Sequence, residues 1–184
     1  GIQVTGNIDI DGNIDAADGS KLKLGTGDDL QIYHDGSNSY LINTTGFLKI
    51  KDESNVRIDT DAFAVNKGDN SEAMIVATAN GSVDLYYDNV KTFGTQGNGI
   101  SVLGPEGGYA QILLYADEGD DNADKWRLRT ETTGEFRIEN VASGLWETNI
   151  ECNGNGNVEL YNNGTKILET TSSGVTVTGT VSDS

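Results

Sequence analysis

Residues Asn80–Gly104 read NGSVDLYYDNVKTFGTQGNGISVLG, and residues Asn155–Gly179 read NGNVELYNNGTKILETTSSGVTVTG. The two align without a gap at a separation of 75 residues. Asn80, Gly81, Val83, Leu85, Tyr86, Lys91, Thr95, Gly99, Val102 and Gly104 each meet an identical residue. Asp84/Glu159, Phe93/Leu168 and Ile100/Val175 meet close relatives. A repeat this long decides how the rest of the chain is read. Val83, Leu85 and Tyr87 alternate with Asp84 and Tyr86, the period of a strand. Asp88-Asn89 in one copy and Asn163-Gly164 in the other supply residues that accept positive φ in a tight hairpin turn. A second short strand, a small polar loop ending in Gly99 or Gly174, and a third strand complete the unit.

A looser copy lies upstream, over residues 29–50. Leu30–Gly36 (LQIYHDG) aligns with Val83–Asn89 at a separation of 53, and Gly46 then falls on Gly99. This places strands at Leu30–His34 and Tyr40–Ile42, and a third at Phe47–Ile50. The chain opens GIQVTGNI and nearly closes GVTVTGTV, which predicts a segment of a longer repetitive protein.

Around the repeats, residues 1–24 predict short strands broken by Gly (Gln3–Thr5, Ile8–Ile10, Ile14, Leu22–Leu24), a shaft-like segment. Residues 25–104 form the β-repeat region, with further strand candidates at Val56/Ile58 and Phe63/Val65. Pro105, the single proline, marks a boundary. Residues 105–154 predict an antiparallel four-strand meander: Gln111–Ala116, Lys125–Thr130, Glu135–Val141 and Leu145–Cys152. Both tryptophans lie there, which predicts the most compact core, with Trp146, Thr148, Ile150 and Cys152 on one strand face. Residues 155–184 carry the last repeat and continue the shaft. No stretch has helical period, so the fold class is all-β, elongated and repeat-containing.

Leu, Ile, Val and Phe make up 43 of 184 residues, few for one compact core of this length, while Gly contributes 24. Such a chain is best stabilised by burial against copies of itself, so an oligomer with interwoven short strands is expected. The net charge of −17, from 29 acidic and 12 basic residues, excludes nucleic acid as a partner, because phosphate contacts need clustered Lys and Arg. It gives no attraction to anionic membranes, and no apolar run reaches the length of a membrane span. The lone Cys152 leaves no intrachain disulfide and reads as a small apolar strand residue.

Three sets of residues are candidates for binding. Asp120, Asn122 and Asp124 alternate as the oxygen ligands of a calcium loop do, with Glu131 at the twelfth place. The sixth place holds Lys125 where such a loop needs Gly, so a solvated hairpin loop is the competing reading. His34, the sole histidine, is a candidate for a threefold-axis metal or anion site, against an ordinary turn residue. Tyr33, Tyr86 and Tyr161 hold one place in the three copies, on the face opposite the aliphatics. They are candidates for a chain interface or for stacking on glycans. No nucleophile, acid–base pair or phosphate loop stands out, so no enzyme activity and no cofactor other than calcium is expected.

Gly27–Tyr40 (GDDLQIYHDGSNSY), Leu114–Trp126 (LYADEGDDNADKW) and Thr170–Gly179 (TTSSGVTVTG) resemble segments of the tail-fibre-like virion appendage proteins of marine bacteriophages, of the cyanophage type. The resemblance covers most of the chain in pieces. It implies a homotrimeric, mainly β fibre that extends from the virion, joins other virion proteins and contributes to host attachment, with a host surface glycan as a further partner. It carries no catalytic residues to transfer. The alternatives are a carbohydrate-binding module and a repeat of an extracellular filament or adhesin.

Overall fold

The fold is taken from a computed structural model, which describes residues 5–181. The chain forms two compact units, residues 1–58 and 59–184. The described residues contain strands, turns and two single-turn 3-10 segments, and no α-helix. All strand pairing is antiparallel, in three sheets.

In the first unit, β1 (Lys21–Leu24), β2 (Leu30–His34) and β3 (Ser39–Asn43) form a three-stranded meander. Of the expected N-terminal pieces, Gln3 and Val4 lie outside the described residues. Thr5, Ile8–Ile10 and Ile14 are not in strands. Each run is one to three residues long, too short to hold a ladder without a neighbour. The expected strands at Phe47–Ile50 and Val56/Ile58 also have no ladder.

In the second unit, β4 (Ala62–Asn66), β5 (Ala73–Thr78), β6 (Val83–Tyr87), β7 (Val90–Gln96) and β8 (Gly99–Val102) form a five-stranded sheet in chain order. A seven-stranded sheet follows: β9 (Ala110–Tyr115), β10 (Lys125–Thr130), β11 (Glu135–Asn140), β12 (Glu147–Asn153), β13 (Val158–Asn162), β14 (Thr165–Thr171) and β15 (Gly174–Val177). β12 pairs with β13, so the sheet runs unbroken across the expected boundary at 154/155.

The repeat is visible in the backbone. The β6–β7 turn holds Asp88 and Asn89 at φ 51° and 60°, and the β13–β14 turn holds Asn163 and Gly164 at 52° and 71°. Positive φ at both central residues gives the hairpin turn whose twist matches its strands. Both hairpins then carry a register shift at the same place, Leu85/Tyr86 and Leu160/Tyr161.

Cross-strand partners share a face, and the registers line the aliphatics into rows. One row crosses all seven strands: Ile112, Leu128, Ile138, Ile150, Leu160, Leu168, Val177. The five-stranded sheet has Val65, Ile75, Leu85, Phe93 and Val102. The first sheet has Leu22, Ile32 and Leu41. None of these side chains is buried. Among the described residues Val141 is the one buried apolar side chain, and no side chain is fully buried. The tryptophan-bearing meander therefore has no compact core, because no second layer covers its apolar face. The chain exposes 14434 Å², whereas a compact monomer of this mass exposes about 8,600 Å².

Candidate functional site

The apolar rows form one face of each sheet, and the opposite face is polar and better covered. Along β6 the exposed residues are Val83, Leu85 and Tyr87, while Asp84 and Tyr86 are half-buried. The most buried side chains of the seven-stranded sheet are charged: Arg127 is 7% exposed, Glu139 3% and Glu159 9%.

On that polar face, Arg127 Nε donates to Glu139 Oε2 at 2.5 Å across the β10–β11 ladder. Arg129 pairs with Glu131 at 2.5 Å. Arg137 bridges Glu151 at 2.7 Å and Glu131 at 3.2 Å. Two guanidiniums are capped by rings: Arg127 over Trp146 at 4.2 Å and Arg129 over Tyr109 at 4.1 Å. Trp146 reaches this face because a register shift between β11 and β12 matches Ile138 with Ile150 but Glu139 with Thr148. The extra residue reverses the alternation, so Trp146 does not share a face with Ile150 and Cys152 as the sequence pattern predicts.

The repeat carries an ion-pair motif on the same face. Lys91 lies 2.8 Å from Asp84, and at the positions 75 residues on, Lys166 lies 3.2 Å from Glu159. Gly94 approaches the first pair closely: a Cβ there would fall 2.7 Å from Asp84 Oδ1 and 2.8 Å from Lys91 Nζ. The equivalent of Gly94 is Glu169, which joins the second pair through Lys166 at 2.5 Å. The bond from Lys91 holds the Asp84 carboxyl below its ordinary range. Glu159 is lowered chiefly by the hydroxyl that Tyr161 donates to it, with help from Asn157 and Lys166. The same bond pushes Tyr161 up to about 12.

The structure places the three tyrosines on the polar face. Tyr161 is bonded to Glu159. Tyr33 stacks on Tyr40 with ring centroids 4.7 Å apart, beneath the ammonium of Lys21 at 4.1 Å. Tyr86 lies beside the Asp84–Lys91 pair, opposite Lys91 in the ladder. His34 is exposed at the end of β2, with Nδ1 3.2 Å from Ser39 Oγ. The acidic loop brings together Asp120, Asp121 and Asp124, with ligand oxygens within 4.8 Å of one another, and Asn122 opens the 3-10 turn between them. Part of that closeness is helix capping: Asp121 and Asp124 form a reciprocal capping box around the 3-10 turn Asn122–Asp124. Lys125 at the sixth place already belongs to β10.

The arginine–glutamate ladder is legible in the sequence only as alternating charge, which reads equally well as a solvated face. Its burial follows from neighbouring charged stems covering one another. No protein-family model, curated protein or solved structure matches the chain. No helix among the described residues is long and apolar enough to cross a membrane.

Proposed function

We propose that the chain is a structural segment of a phage tail fibre or related virion appendage, contributing to host attachment as a stiff homotrimeric rod. The observation that carries the self-association is the unbroken aliphatic row across seven strands with no layer covering it. Exposed apolar faces of this extent mark interaction surfaces. The virion setting and the number three rest on the resemblance of the repeat phrases to marine phage appendages.

The strand lengths accommodate a threefold arrangement. β9–β14 have five to seven residues, or about 17–23 Å at about 3.3 Å per residue. Three such sheets set as the sides of a triangle have an inscribed radius of about 5–7 Å, close to half the ~10 Å spacing of packed sheets. The aliphatic rows then run along the axis, and the ion-pair face turns outward. Tyr33, Tyr86 and Tyr161 belong to the outer surface in this arrangement, not to the interface. Any contribution to glycan contact would come from there. The reading assigns no catalysis and no cofactor.

Light scattering at low micromolar concentration tests it. The expected mass is three times the 19.6 kDa chain. A chain-mass species overturns the rod and favours a monomeric binding module; a mass that grows without limit favours a filament repeat.

A further inference from the structure

We infer that the first repeat is completed between copies: the segment Phe47–Ile50 of one chain pairs with the open edge of β3 in a neighbouring copy. This rests on the self-association proposed above and specifies one of its contacts.

The three repeat copies differ at one point. β7 is followed by β8, and β14 by β15, each folding back on its predecessor. β3 has no such follower, and its outer edge has no partner strand among the described residues. Yet the residues for one are present. Ile32 pairs with Leu41 as Leu85 pairs with Phe93. The stretch from Ile32 to Leu41 is one residue longer than that from Leu85 to Phe93, so past the turn the separation between copies falls from 53 to 52, which sets Leu48 on Ile100 and Ile50 on Val102. Phe93 pairs with Val102, so the corresponding match is Leu41 with Ile50. That would extend the row Leu22, Ile32, Leu41 by one aliphatic.

In the single chain this segment is left out. Phe47 is 89% exposed and Ile50 70%, with Leu48 at 46%. The local turn differs from those of the two completed copies. Asn43 Nδ2 donates to the carbonyls of Thr45 and Gly46 at 2.6 and 3.2 Å. Gly46 takes φ 61° directly after the β-branched Thr45. The β7–β8 and β14–β15 hairpins instead have their positive φ at the residue after the turn, Gly99 at 156° and Gly174 at 145°. The chain leaves β3 carrying an apolar strand sequence, beside an edge that lacks one. An open edge and a matching exposed strand are complementary, and copies of one chain satisfy both.

Disulfide trapping tests the pairing. Leu41→Cys with Ile50→Cys, in a Cys152→Ala background, places two thiols opposite one another. Antiparallel partners have Cα atoms about 4.5–5.5 Å apart, within disulfide reach. The expected result after oxidation is covalent dimers and trimers on a denaturing gel, collapsing to the chain mass on reduction. Cross-linked chains at monomer mass overturn the inference in favour of folding back in cis. Free thiols on a protein that light scattering shows to be trimeric also overturn it and leave the rod intact. A chain-mass species before oxidation sinks both. Amide exchange on the unsubstituted protein is the second measure: Leu41 and Asn43 turn their backbone groups to the open edge, so slow exchange at Leu48 and Ile50 is expected, and rapid exchange at both in the trimer refutes the pairing.

Discussion

Removing Glu139 alone should damage this protein more than removing Glu139 and Arg127 together. The Arg127–Glu139 pair sits at 2.5 Å with side chains 8% and 4% exposed, so solvent screens it little. In Glu139→Ala the guanidinium stays buried with Trp146 as its cap and no carboxylate at bonding distance, since Glu139 is its ion-pair partner on the neighbouring strand. Leaving one buried charge uncompensated costs about 3–5 kcal/mol. The unit holding it spans residues 59–184, so its unfolding entropy is about 0.26 kcal/mol/K and the expected fall in Tm is about 11–19 °C. In Arg127→Met/Glu139→Leu both charges are gone and the volume is kept. That variant should melt within about 2 kcal/mol of the parent, or above it. The assay is calorimetry at one fixed protomer concentration, since assembly makes Tm concentration-dependent. A Glu139→Ala shift below about 4 °C, or a double variant that melts as low as the single one, refutes the claim that the polar face is a buried network.

Leu160→Asp puts a charge in the middle of the seven-strand row; burying it would cost several kcal/mol, so light scattering should report the chain mass, whereas Tyr161→Ala on the other face should leave the assembled mass unchanged. Gly94→Ala should cost about 1 kcal/mol in chemical denaturation, because the new Cβ, 2.7 Å from Asp84 Oδ1, displaces the ion pair. The acid side follows from carboxyls whose folded pKa is lowered: Asp84 and Glu159 contribute stability above their unfolded pKa, and it is lost as pH falls through the folded values. Lys91→Met should move the Asp84 carboxyl resonance back toward its ordinary titration and shrink the acid loss. On the alkaline side Tyr161 is raised, so its contribution is whole below pH 10 and is lost as pH climbs toward about 12; Tyr161→Phe should flatten that limb in a pH melt series.

The strands were legible wherever two signals coincided. At Val83–Tyr87 and Val158–Asn162, alternation and a two-residue turn specify strand and register together, and the structure has both hairpins. At Phe47–Ile50 and Val56/Ile58 alternation stands alone, without a turn that folds the segment onto a neighbour, and the chain forms no ladder. Trp146 was misplaced because a bulge is invisible to a period-two count. The direction of burial was the hardest to read. Val, Leu and Ile mark an inward face only when something exists to be inside of, and one chain here supplies a single layer. Asp120 and Asp124 approach one another as their spacing suggests, with Asp121 beside them, which the spacing does not suggest because the 3-10 turn Asn122–Asp124 and its capping box set the loop.

The seven strands lie in chain order, each bonded only to the ones before and after it. A force pulling β9 away from β15 therefore meets the ladders in series, and every rung is loaded head-on along its hydrogen bonds. Such a sheet yields by unzipping one strand at a time, with each step releasing slack equal to a single hairpin. Tensile strength in that direction cannot come from the backbone. Under the proposed self-association it would come from side chains gripping across to other copies, and toughness would be a property of the rod.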